Sequence, residues 1–154
     1  MPHSMQIFVD SDACPVKEEA AKVAARHGLV IHYVSNAHMR LPYGDTVRRV
    51  VVAEGADAAD DWIVAQAAAG DIVVTADIPL ASRAIKKGAR VIAHTGKPFS
   101  EDSIGMALAM RNLMSELREA GDMRGSNPVF TPADRSRFLQ GLENIIQAIK
   151  RMPA

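Results

Sequence analysis

Cysteine is almost missing from this chain: Cys14 stands alone among 154 residues, which excludes an internal disulfide. Aromatic residues are scarce as well, at 5%, while Ala supplies much of the 48% hydrophobic share, a composition suited to helices packed closely on a sheet. Charge of one sign is lacking too. Lys plus Arg and Asp plus Glu are both 18, so the formal net charge is zero and no global field draws the chain to nucleic acid or anionic lipid. Contact with nucleic acid has to come from a local patch. No stretch reaches the ~20 apolar residues of a membrane span, and Met1 to Gln6 has no long apolar run of the kind a signal peptide carries. The expected home is the cytoplasm. Met1 to Met5, with its second Met, is set aside from fold reasoning.

What is present alternates. Met5 to Val9 reads as a short buried strand running into Asp10-Ser11-Asp12-Ala13-Cys14-Pro15, and a helix follows, opened near Pro15 and stopped by Gly28. Leu29 to Val34 is a second strand. After a polar loop from Ser35 to Asp45, the β-branched run Val47 to Val52 makes a third. Asp57 to Ala69 has helical apolar spacing at Ile63, Val64, Ala67 and Ala68, and Gly70 closes it before the strand Asp71 to Thr75. A helix over Leu80 to Lys87, a fifth strand over Ala89 to Ala93, an N-cap at Ser100 and a long helix to Ala120 complete the series. Gly121 to Phe130 is the loosest segment and a candidate flap; the last helix lies within 131–152, from about Pro132 to Arg151. One domain over 1–154, burying roughly two-thirds of its unfolded surface, is expected to be a three-layer α/β sandwich with a mainly parallel sheet of about five strands.

Such sheets bind ligands outside the carboxyl ends of their strands. Asp10 and Asp12 follow the first strand, Asp77 follows the fourth, and Asp57, Asp60 and Asp61 open the helix before it. Helical spacing lets at most two of those last three share a face. Any one Asp there is explained equally well as a helix cap or a dipole partner. The set exceeds what capping needs, so shared metal binding by Asp10, Asp12, Asp60, Asp61 and Asp77 is the expectation. Crowded carboxylates repel and their pKa values rise unless a cation sits among them. Oxygen ligands without a His or Cys cluster suit Mg²⁺ or Mn²⁺ rather than Zn²⁺. Asp71, Asp102, Asp122 and Asp134 are read as structural.

Three strings, Val9-Asp10-Ser11-Asp12-Ala13-Cys14-Pro15-Val16-Lys17, Gly55-Ala56-Asp57-Ala58-Ala59-Asp60-Asp61-Trp62-Ile63 and Gly70-Asp71-Ile72-Val73-Val74-Thr75-Ala76-Asp77-Ile78-Pro79-Leu80-Ala81, together resemble the bacterial YaiI/YqxD family. The resemblance runs through most of the chain, the Phe130 to Leu142 tail included. It implies a PIN-like fold, with a metal-dependent ribonuclease site built of acids. Against the general PIN pattern, Asp10 looks like the acid after the first strand, Asp60 like the Asp opening a helix, and Thr75-Ala76-Asp77 like the Thr-x-Asp after the fourth strand. A PIN domain usually adds an acid on a helix in between. Here only Glu18, Glu19 or Glu54 could serve, with Asp12 and Asp61 as substitutes.

Other residues divide between chemistry and packing. Cys14, near a helix start, could carry thiolate character, but a small packed turn residue is the better reading. Lys17 and Arg40 are candidate phosphate contacts and Thr75 a candidate substrate contact, although a first-turn Lys is ordinarily just solvated. His38, Arg40, Arg48 and Arg49 form the densest basic stretch, able to hold a nucleic-acid backbone or merely to protect a sheet edge. Arg111, Arg118, Arg124, Arg135 and Arg137 surround the loose segment, with solvation the default for each, and Trp62 is expected to pack on the sheet.

The leading expectation is a metal-dependent phosphodiesterase acting on RNA, with catalytic Asp10, Asp60 and Asp77. A haloacid-dehalogenase-like phosphatase also begins with Asp-x-Asp, but it needs Ser or Thr, then Lys, before its acidic pair, and here Asp60-Asp61 precedes Thr75. A module that binds RNA or a protein partner without cutting is the non-enzymatic alternative. The oligomeric state is not readable from sequence.

Overall fold

The computed structural model describes residues 4–12, 14–53, 55, 57–119 and 129–152, without the side chains of 115–119. Glu54, Asp122, Arg124, the end of the helix at Ala120 and nearly all of the candidate flap lie outside the described residues, as does the side chain of Arg118. Strand β1 is Gln6–Asp10, followed by helix α1 (Lys17–His27), β2 (Val30–Ser35), β3 (Val47–Val51) and α2 (Ala58–Gln66). Then come β4 (Ile72–Val74), α3 (Ile78–Lys86), β5 (Arg90–Ile92), β6 (Pro98–Phe99), α4 (Glu101–Glu119) and α5 (Pro132–Lys150).

The strands form one sheet in the order β3-β2-β1-β4-β5-β6. The first five run parallel, and β6 pairs antiparallel with β5. A sixth strand therefore joins the five expected; at two residues, with a proline in it, it carries no alternation to read. Period-two alternation splits the central strands between two cores. Ile7, Val9, Ile31, Tyr33, Ile72, Val74 and Ile92 face α1 and α5, where Val23, Phe138, Leu142 and Ile146 complete the packing. Phe8, Val34, Val73 and Val91 face the opposite layer, with Ile63 of α2, Leu80 and Ala84 of α3 and Ile104 of α4. The three-layer α/β sandwich is thus the observed architecture. None of the helices among the described residues is long and apolar enough to cross a membrane.

Handedness explains which helix goes where. From β1 the chain winds outward through α1 to β2, whereas from β3 it crosses back through α2 to β4 and continues through α3 to β5. Right-handed crossovers in opposite directions put their helices on opposite faces. The reversal falls between the neighbours β1 and β4, and it opens a crevice at their carboxyl ends.

Local chemistry sets the helix ends. Gly28 closes α1 at φ 66°, as its position predicts. Helix α2 stops at Gln66 rather than Ala69, because Ala67 turns extended and the carboxylate of Asp71 takes the Ala68 N–H at 3.0 Å. The other oxygen of Asp71 accepts from Gln6 N, also at 3.0 Å, so this fully buried acid ties the start of β1 to the entry of β4. The N-cap read at Ser100 is present, its Oγ accepting from Ser103 N, and Thr131 and Asp134 cap α5 reciprocally.

The turn between β5 and β6 is clamped to α5. Gly96 lies at φ 89°, and a Cβ there would overlap the carbonyl of Arg137, while one on Gly141 would sit 2.8 Å from the Gly96 oxygen. A Gly96→Ala variant should lose about 2–4 kcal/mol of unfolding free energy through left-handed strain and backbone overlap. Urea denaturation measures it; a loss below about 0.5 kcal/mol, as at an ordinary surface position, would contradict the clamp.

Candidate functional site

Strand β1 ends at Asp10, and Ser11 extends its pairing by one bond, from Ser11 N to Val34 O at 3.0 Å. Ser11 is fully buried, so the two carboxylates that flank it, Asp10 and Asp12, leave the sheet together at its edge. After β4, fully buried Thr75 donates its hydroxyl to Asp10 Oδ2 at 2.9 Å and accepts the Asp77 N–H at 3.0 Å. Asp77 caps α3 by accepting from Leu80 N at 3.0 Å. Capping and site membership, weighed as alternatives for this Asp, are here combined in one side chain. Asp60, in the first turn of α2, completes a cavity of about 370 Å³ lined by Asp10, Asp12, Asn36, Ala59, Asp60, Ala76, Asp77 and His94.

The electrostatics follow from crowding. Burial pushes the Asp10 carboxyl up; the Thr75 hydrogen bond opposes this, and the charges of Asp77 and Asp12 add to it. Asp60 is pushed up to about 6, by burial first and then by Asp77, Asp10 and Asp57, with Arg83 opposing. Arg83 spends its hydrogen bond elsewhere, on Asp61 at 2.8 Å. Among the described residues no Lys or Arg is ion-paired with any of the four cavity acids.

Several expected residues stand apart from the cavity. Asp61, with a side chain 63% exposed, diverges from Asp60 along the helix and leaves the expected ligand set for Arg83. Thr75 has no exposed surface with which to touch a substrate, and its hydroxyl works instead on Asp10. Arg40 is exposed and does not line the cavity. Lys17 stands at the start of α1, where its carbonyl accepts from the Tyr33 hydroxyl at 2.6 Å. Glu19, a candidate for the additional acid, is paired with Arg135. Arg48 and Arg49 turn back to loop carbonyls of Asp45 and Met39. Among the described residues no three of His, Cys, Asp and Glu stand close enough to form a finished metal ligand set. The five-carboxylate cluster expected from sequence is therefore a looser gathering of four, in which Asp10 and Asp77 each have one oxygen committed to a neighbour.

Cys14 is buried, and burial pushes its thiol up to about 11, which fits a packed turn residue and not a nucleophile. Trp62 packs its ring on the edge of Phe8 at 6.0 Å, as expected. Two cavity residues, Asn36 and His94, were not foreseen. Both stand just past the carboxyl end of a strand, β2 and β5 respectively, which is the signal that could have found them.

Fold and cavity define a three-layer α/β protein with an acid-lined cavity at the point where its sheet reverses direction. Residues 8–148 match the model of the "Uncharacterized BCR, YaiI/YqxD family", and the chain belongs to that family. A UPF0178 protein of Parvibaculum lavamentivorans is 59% identical over 148 residues, which cover 96% of this chain and 97% of the relative. One from Rhodospirillum rubrum is 60% identical over 148 residues, covering 96% and 99%. No solved structure matches the chain.

Two outcomes test the site. Thr75→Val keeps the shape but removes the Asp10 donor and the Asp77 acceptor; it should cost about 1–3 kcal/mol and raise the Asp10 pKa further, both measurable by denaturation and carboxyl NMR. An unmoved Asp10 titration would break the link. Asp60 holds its proton more tightly folded than unfolded, so its contribution to stability is full below 3.8 and is lost as pH rises through about 6. Asp60→Asn should flatten that decline in a series of melting curves without divalent metal, and an unchanged pH slope would show that Asp60 is not under strain.

Proposed function

We propose that the chain is a divalent-metal-dependent phosphodiesterase acting on RNA, with Asp10, Asp60 and Asp77 at its centre and Asp12 at the exposed rim. The observation that carries this reading is the convergence of four acids from three chain segments on one cavity, where they repel one another and, among the described residues, have no ion-paired cation. That arrangement costs stability unless a ligand repays it.

The donors suit a particular kind of ion. Mg²⁺ and its close substitute Mn²⁺ take oxygen ligands, and Mg²⁺ is commonly held by one or two carboxylates, waters and substrate phosphate rather than by a full protein cage. Asp10 and Asp77 would hold it through the oxygens not engaged by Thr75 and Leu80. Bound there, the ion would acidify a water and offset charge on the phosphate. Thr75, fixing Asp10 through its hydroxyl and Asp77 through its backbone N–H, keeps the two carboxylates in register. Asp60 would orient the attacking water and accept its proton as the new P–O bond forms and the bond to the leaving oxygen breaks. The resemblance of the Asp10, Asp60 and Thr75-Ala76-Asp77 segments to PIN-like sites supports RNA as the substrate class.

Single-stranded RNA should be cut in Mn²⁺ or Mg²⁺ but not in chelator, with Asp60→Asn slowing kcat by about 10²–10⁴-fold. Asp77→Asn preserves the helix cap, since Asn caps as well as Asp, and should still lose activity and weaken Mn²⁺ binding in calorimetry. Phosphomonoester turnover without RNA cleavage would overturn the reading in favour of a phosphatase. RNA binding indifferent to Asp10→Asn and Asp77→Asn, with no cleavage, would replace it with a binding module.

A further inference from the structure

The connection from β2 to β3 takes no part in the acid cavity beyond its first residue, Asn36, and its course is set by topology. The two strands are parallel, so the chain that leaves Ser35 at the carboxyl edge of the sheet has to return to the amino edge before it enters Val47. Such a crossover ordinarily carries a helix. Residues 36–46 contain none, and the segment from His38 to Gly44 runs down the β3 margin as a strap. Met39, Leu41 and Pro42 are half-buried, Leu41 against the core on the α1 side, whereas His38 and Arg40 are exposed and Tyr43 is completely so. The other tyrosine of the chain, Tyr33, is buried.

The strap is fastened along its length. Ser35 Oγ donates to Ala37 O at 2.6 Å, Arg49 to Met39 O at 2.6 Å and Arg48 to Asp45 O at 2.7 Å. At its upper end Asn36 stands in the cavity wall and donates to Gly55 O at 3.1 Å. At its lower end Tyr43, Asp45 and Thr46 line a recess of about 220 Å³, with Ala21 and Ala25 of α1 on the other side. Charge distinguishes this margin from the cavity. Arg40, Arg48 and Arg49 bring three guanidinium groups to it, and among the described residues none of them is ion-paired. Asp45 is the one acid in residues 36–46. In a chain of zero net charge this is a local patch of the kind that contact with a nucleic-acid backbone requires.

We propose that the strap is a track for single-stranded RNA leaving the acid cavity, with His38 and Arg40 contacting backbone phosphates and Tyr43 stacking a base at the recess. The assignment deepens the phosphodiesterase reading and rests on it for the identity of the ligand. From His38 to Tyr43 an extended backbone spans about 16 Å, room for roughly three to five nucleotides at a spacing of about 3.4 Å or somewhat more. A base must be free of a duplex to reach Tyr43, and stacking on an aromatic ring accepts any base, so the class is single-stranded RNA with little sequence preference.

The test uses the full chain with Asp60→Asn, which slows cleavage, and fluorescein-labelled uridine oligomers in Mg²⁺, with affinity read by anisotropy. Tyr43 is fully exposed, so replacing it leaves the packing intact. Tyr43→Ala should weaken a uridine decanucleotide about tenfold and leave a uridine dinucleotide, too short to reach the recess, unchanged, while Tyr43→Phe should bind both like the parent. Arg40→Ala should weaken the decanucleotide and make its logarithmic salt dependence shallower by about 0.7, the loss of one phosphate contact. Decanucleotide affinity unchanged in both Tyr43→Ala and Arg40→Ala, or a dinucleotide weakened as much as the decanucleotide, overturns the proposal. The two readings fail separately. A chain with the native Asp60 that holds RNA through Tyr43 and never cuts it keeps the track and removes the hydrolase, whereas decanucleotide cleavage with kcat/KM unchanged in Tyr43→Ala does the reverse.

Discussion

Two neighbouring parallel strands, β1 and β4, whose chains leave in opposite directions, impose the constraint on which everything at this site depends. Because α1 departs to one face and α3 to the other, the gap between the strand ends is left to the side chains that surround it. The sequence supplies carboxylates at that gap from both strands. Helix α2, crossing back under the sheet from β3, delivers a further acid from the side. Burial at that gap pushes the carboxyls of Asp10 and Asp60 up, and their mutual repulsion adds to it.

Thr75 is what keeps that repulsion organised. Its buried hydroxyl is both the donor to Asp10 and the acceptor for Asp77, so the last residue of β1 and the cap of α3 are joined through one oxygen. The link lowers the energy of one carboxylate while leaving a second oxygen on each of the two acids. An arrangement that satisfied every oxygen would be more stable and chemically silent; this one trades some stability for ligand capacity.

Much of this was legible in the sequence, for identifiable reasons. Buried parallel strands are short apolar runs with Gly or Asp near their ends, and four of the strands announce themselves that way, while β3, with Arg48 and Arg49 exposed, is read from its β-branched valines. The gathering of Asp10, Asp12, Asp60 and Asp77 followed from one topological rule applied to those runs. What stayed hidden depended on contacts between segments. The divergence of Asp61 turned on Arg83, a partner on the next helix. The role of Thr75 turned on its complete burial. His94 lies in a turn that alternation patterns do not describe, and its place in the cavity wall depends on how that turn packs against α5. Strand β6 needed its pairing with Val91 and Ile92 to exist at all.

The outer strands have a consequence for the life of the molecule in a crowded solution. On one flank β3 presents the exposed Arg48 and Arg49, with guanidinium groups folded over the adjoining loop; on the other, β6 is two residues long and one of them, Pro98, has no N–H to offer. Neither flank provides the long, flat row of free amides that recruits a foreign strand. The chain is thus guarded at both margins against runaway fibril growth by strand addition.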